Sequence, residues 1–146
     1  MSFADFITDN GKRVKRDHYI HLVQVAEIDG KIDKAEMEML HREGRKFGLT
    51  DPEIDQIIDK EKDFHYVPPY SLREKFEELY NIAVMMLADE VVTESETRML
   101  NRYAIAAGFD DAAIAGLNEI LINGIRNGVD EEDLFKDYRR RFPVAG

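Results

Sequence analysis

Cysteine is absent from the chain, which excludes disulfides, thiolate nucleophiles and thiolate metal sites together. Tryptophan is absent as well, and proline occurs four times. Two of the prolines, Pro68-Pro69, are adjacent, so helix-breaking residues are concentrated at one place. Long hydrophobic runs are missing too. The longest, such as 82–88, is far too short to cross a bilayer. No segment alternates with period two, which leaves no half-buried strand to expect. The opening residues show neither a basic n-region nor an apolar h-region, and the expected compartment is the cytoplasm.

What is present is an ordinary folded composition, 44% hydrophobic and 34% charged over 146 residues. That length suits one domain burying roughly 70% of the surface of its unfolded chain. The net charge of −10 sets the overall field against nucleic-acid phosphate, so no nucleic-acid partner is expected. Two basic runs depart from it, Lys12-Arg13-Val14-Lys15-Arg16 and Arg139-Arg140-Arg141. Each reads either as a solvated helix-end charge or as a contact for phosphate or an acidic partner.

Apolar residues recur at helical spacing almost throughout. Tyr19, Leu22, Val23 and Ala26 share one face, and Met37, Leu40, Gly44 and Phe47 another. Ile54, Ile57 and Ile58 mark a short helix, read with Asp51 as N-cap and Pro52 at the first helical position. The stretch 64–70 is the clear connector. Ser71-Leu72-Arg73-Glu74 then reads as a capping box opening a long helix lined by Leu72, Phe76, Leu79, Ala83, Met86 and Leu87. Thr97, Leu100, Ala104 and Ala107 give the next helix, then Ile114, Leu117, Leu121 and Ile125, and last Leu134, Tyr138 and Phe142. The expected class is all-α, with about seven helices and a short N-terminal turn.

A repeat with a constant offset of 60 and no gaps organises these helices. Asp29, Glu36, Met39, Leu40, Arg42, Gly48, Asp51 and Ile54 recur as Asp89, Glu96, Met99, Leu100, Arg102, Gly108, Asp111 and Ile114. Chance would match roughly one position in fifteen. Gly44 and Ala104 are both small, which would let a partner helix come close on the same face of each copy. The sequence therefore predicts two pseudo-repeated helix–turn–helix halves, 17–58 and 77–118, joined by the Pro-Pro connector within one domain, 1–146.

Each copy centres on an acidic turn, Asp29-Gly30-Lys31-Ile32-Asp33-Lys34-Ala35-Glu36 and Asp89-Glu90-Val91-Val92-Thr93-Glu94-Ser95-Glu96. Two readings stand side by side. In the first, Gly30 ends a helix in the left-handed conformation, Asp33 with Glu36 and Thr93 with Glu96 form capping boxes, and Ile32 staples to Met37. In the second, the carboxylates hold calcium or magnesium. Asp29, Gly30, Ile32, Asp33 and Glu36 match the second half of an EF-hand loop, but its opening ligand position falls on Val25. A cation site would therefore draw on both copies, through Asp29, Asp33, Glu36, Asp89 and Glu96.

At this motif the chain resembles the TerB-like domain of tellurite-resistance proteins and DjlA-type co-chaperones. The resemblance spans residues 17–128 and rests on Asp29-Gly30, Ile32, Glu36, Asp89 and Glu96. It implies an all-helical fold of two related halves, a stress-associated role, and an acidic surface with metal-binding character. Glu90 departs from the pattern by replacing the turn glycine of the second copy, and the lack of a J-domain in these residues sets aside the co-chaperone role.

Other chemistry is sparse. His18 and His21 stand three apart on one helix and could share a metal, but zinc needs a third protein ligand, which the sequence does not name. Glu38-Met39-Leu40-His41 has the Glu-x-x-His spacing of di-iron bundles, yet the repeat places Arg98 and Asn101 where its partner motif would be. No phosphate loop, nucleophile elbow or metalloprotease motif occurs. The expected function is a non-enzymatic interaction module whose acidic face meets a protein partner, with peripheral membrane association through a complex left open. The alternatives are a divalent-metal-binding or metal-sensing protein and, more remotely, a metal-dependent enzyme.

Overall fold

Helical spacing of apolar residues is realised along nearly the whole chain. The computed structural model describes residues 6–7, 13–28, 30–88 and 92–143. Among them are seven helices: α1 (Arg16–Ala26), α2 (Lys34–Arg45), α3 (Asp51–Glu61), α4 (Leu72–Leu87), α5 (Glu94–Ala106), α6 (Asp111–Arg126) and α7 (Glu131–Arg141). The N-terminal turn is a small ladder in which β1 (Phe6–Ile7) pairs antiparallel with β2 (Arg13–Val14), Phe6 opposite Val14. Alternation cannot reveal strands of two residues, because period two needs at least four positions to register.

The offset of 60 survives in three dimensions. Shifted by it, α1 falls within α4, α2 matches all but the last residue of α5, and α3 matches the start of α6. The contacts repeat as well: α1 packs on α2 and α3 as α4 packs on α5 and α6, and α2 meets α3 as α5 meets α6. Two further contacts, α1 with α4 and α2 with α5, join each helix to its own repeat mate. Touching mates are what an approximate two-fold relation requires, and the α1–α5 contact departs from it, because α4 and α2 lack an equivalent contact of that extent. Helix α7 has no counterpart in the first half and packs on α4 and α6.

One core runs through both halves, with Tyr19, Leu22, Leu40, Ile54, Phe76, Leu79 and Met99 among its fully buried side chains. Each such side chain contributes about 1.5–3 kcal/mol on leaving water. Close helix approach is visible at Gly44, where an added Cβ would stand 2.7 Å from Ile54 Cδ1 and 2.7 Å from the Tyr19 hydroxyl. Gly30, Gly48 and Gly108 end their helices at φ of 76°, 82° and 93°, which glycine adopts without strain.

The N-cap of α3 is Thr50, not Asp51. Thr50 accepts from Glu53 N and Glu53 reaches back to Thr50 N, a complete box that Asp51 has no partner to form. Asp51 instead takes two Arg45 donors, from Nε at 3.0 Å and Nη2 at 3.1 Å. Thr97, one of the residues whose spacing marks the next helix, faces outward. Its hydroxyl donates to Thr93 O at 3.3 Å.

Candidate functional site

The acidic turns lie where the two halves meet. Asp33 accepts from Glu36 N at 2.7 Å, and Glu36 returns a bond to Asp33 N at 3.2 Å. Thr93 and Glu96 do the same at 3.2 Å and 2.9 Å. Both capping boxes are therefore complete. The second oxygen of Glu36 pairs with Arg102 of the opposite half. Reciprocally, Arg42 Nη2 stands 2.8 Å from Glu96 Oε1. Arg42 and Arg102 are repeat mates, as are Glu36 and Glu96, so the two ion pairs form one symmetric clamp. Asp29 and Asp89, the other expected ligands, lie outside the described residues.

Arg102, together with Lys46, also caps the end of the first helix of each half. Arg102 Nη2 donates to Ala26 O at 3.2 Å, at the last carbonyls of α1. Lys46 Nζ donates to Met85 O at 2.6 Å, at the end of α4. Each cation comes from the other half and sits against the negative end of a helix dipole.

Beneath the clamp lies Glu43, fully buried beside the equally buried Glu96. Burial pushes the Glu43 carboxyl well above the usual range, and its hydrogen bond with Glu96 adds to the rise, against the pull of Lys46 at 2.6 Å. Burial also acts to raise Glu96, but bonds from Glu43 and Thr93 and the charges of Arg42 and Lys46 outweigh it and hold it low. The two carboxyls are thus pushed apart, Glu43 upward and Glu96 downward.

Glu78 centres a separate buried cluster between α1, α4, α5 and the connector. Its Oε1 accepts from the Tyr66 hydroxyl at 2.6 Å and from the Tyr103 hydroxyl. Its Oε2 lies 3.2 Å from His21 Nδ1 and 3.9 Å from His18 Nε2. Burial would raise Glu78, yet the contacts with His21, Tyr103 and Tyr66 hold it below the usual range. Contact with Glu78 raises His21, whereas burial lowers His18.

Elsewhere, His41 bridges α2 and α3, with Nδ1 2.9 Å from Asp51 and Nε2 2.8 Å from Asp55. Its ring is thus held by carboxylates other than Glu38, which lies exposed. Of the basic runs, Lys15 pairs with Glu77 at 3.0 Å, Arg140 and Arg141 turn toward Asp137, and Arg139 lies over the Phe135 ring. Lys12 lies outside the described residues.

Sequence reasoning passed over Arg42, Arg102, Glu43, Lys46 and Glu78. The signal for the arginines was available, since a charged residue repeated at the offset beside a repeated carboxylate implies pairing across a two-fold. Glu78 carried no such signal, because His18 stands at its repeat position. No family model matches the chain, nor does any curated protein or solved structure.

Proposed function

We propose that the chain is a single TerB-like helical domain, a non-enzymatic interaction module of the cytoplasm that works in a stress- or tellurite-resistance-associated assembly and meets a protein partner. The acidic Asp-Gly turn and the duplicated, capped helices support the family reading. The observation that carries the interaction reading is the reciprocal clamp. It commits Glu36, Glu96, Arg42 and Arg102 to joining the halves, so the repeated motif builds a scaffold.

What that scaffold presents outward is its acidic charge and the connector. Phe64, Val67 and Tyr70 are exposed around Pro68-Pro69, with Tyr70 99% accessible, while Tyr66 is anchored on Glu78. Exposed aromatic and apolar side chains on an anchored loop suit recognition by another protein. No helix among the described residues is long and apolar enough to span a membrane.

Proximity labelling in the native cell tests this reading, comparing the natural chain with the double variant Val67→Ser, Tyr70→Ser. The expected result is a discrete partner set labelled by the natural chain and lost with the variant, together with loss of growth on tellurite or another stress. Identical labelling and growth would overturn it.

A further inference from the structure

We infer that His18, His21 and Glu78 form a binding site for a divalent transition ion of the zinc class. The inference does not rest on the interaction reading above. The site exists because of the pseudo-two-fold. Helices α1 and α4 are repeat mates in contact, so position 18 and its mate 78 face each other across the axis. One carries an imidazole and the other a carboxylate, and His21 follows one turn along α1.

The carboxylate is already oriented for this task. Both tyrosine hydroxyls bind Oε1, leaving Oε2 toward the two histidines at 3.2 Å and 3.9 Å. Two ligand atoms sharing an ion at about 2.1 Å each stand at most about 4.2 Å apart. Both separations fall inside that limit. Hydrogen bonds that fix a ligating carboxylate from behind are the usual outer support of a metal site.

The histidines need a modest adjustment. Their ring centroids lie 6.2 Å apart, and as they stand no three such groups among the described residues are placed to hold an ion. The Nδ1 of His18 is buried without a hydrogen-bond partner, so that ring is not pinned through it, and the Nδ1 of His21 already faces Oε2 at 3.2 Å. The His21 side chain is 32% exposed, which leaves its ring room to turn, whereas Glu78 is buried. Water would complete the coordination. Two imidazoles and one carboxylate suit zinc, cobalt or nickel, whereas calcium and magnesium prefer oxygen alone.

Calorimetric titration of the full, untagged chain with Zn²⁺, and visible absorption with Co²⁺, test the site. One equivalent should bind. His21→Gln and Glu78→Gln should each weaken binding at least about tenfold, while His41→Gln and Glu36→Gln leave it unchanged. Far-UV circular dichroism checks folding. His21→Gln, at a partly exposed position, carries the test if Glu78→Gln does not fold. Absence of saturable binding, binding that survives His21→Gln, or binding lost with His41→Gln would overturn the inference.

Discussion

Arg42 of the first half holds Glu96 of the second at 2.8 Å, and the same pair recurs in reverse between Arg102 and Glu36. Glu96 is fully buried, and an unpaired carboxylate there would lose its solvation without compensation. The clamp therefore makes each half depend on the other, and the motif's charges act first on folding.

The caps give the simplest consequence. Thr93→Ala should destabilise the protein by about 1 kcal/mol by leaving Glu96 N without its partner. Asp33→Ala should cost a similar amount, or somewhat less, because Thr93 also accepts from Arg42 Nη2 at 3.4 Å. Urea midpoints of the two variants measure this, and an unmoved midpoint would show that the side chain is not a working cap.

Much of this architecture was legible in the sequence, for identifiable reasons. Helical spacing located the helices, and the repeat tied α1, α2 and α3 to α4, α5 and α6. The capping boxes at Asp33 and Thr93 were readable because a cap and its Glu lie three residues apart. Long-range pairing was not. The separations 42 to 96 and 36 to 102 depend on how the halves dock, and periodicity carries no docking angle. Thr50 lost its place to Asp51 because both are good caps, and only the Glu three residues after Thr50 decides between them. The Glu78 cluster needed the fold itself, since it gathers side chains from three helices and the connector.

Gly44 and Ala104 should respond in opposite senses to the same methyl group. Gly44→Ala should destabilise by about 1–3 kcal/mol through overpacking against Ile54 and Tyr19, offset in part by better helix propensity. Ala104→Gly should cost about 1 kcal/mol through lost propensity and packing in a fully buried site. Differential scanning fluorimetry reads both, and each variant should melt below the natural chain. Stabilisation by Gly44→Ala would contradict the close approach.

Glu27 makes stability depend on pH. Burial, with Glu61 and further carboxylates nearby, pushes its carboxyl up to about 7, and its Oε2 is buried without a hydrogen-bond partner. A raised acid binds its proton more tightly in the folded state. That contribution is greatest below the unfolded value of about 4.5 and is lost as pH rises toward and through about 7. Glu27→Gln should therefore flatten the decline and be the more stable form above neutrality. Urea midpoints at about pH 5, 6 and 8 provide the comparison, and a variant that declines in parallel with the natural chain would contradict the assignment.

Calcium and magnesium should leave the melting temperature nearly unchanged. Glu36 and Glu96 are neutralised by Arg102 and Arg42, and Asp33 is committed to a backbone N–H. Millimolar salts should act only by weak screening, equally in the natural chain and in Glu36→Gln. A native-state ligand at a hundred times its dissociation constant would instead add about 2.7 kcal/mol. A clear shift abolished by Glu36→Gln would restore the acidic turns as a cation site.

The most direct test of the account is a double-mutant cycle between Arg42 and Glu96, read by urea denaturation of Arg42→Met, Glu96→Gln and the combination. If the clamp joins the halves, Arg42→Met removes the cation closest to a buried carboxylate and should cost about 2–4 kcal/mol. The double variant should recover part of that loss, giving a coupling energy of about 1–3 kcal/mol. Strictly additive losses, with coupling below about 0.5 kcal/mol, would contradict the claim that these residues hold the two repeats together.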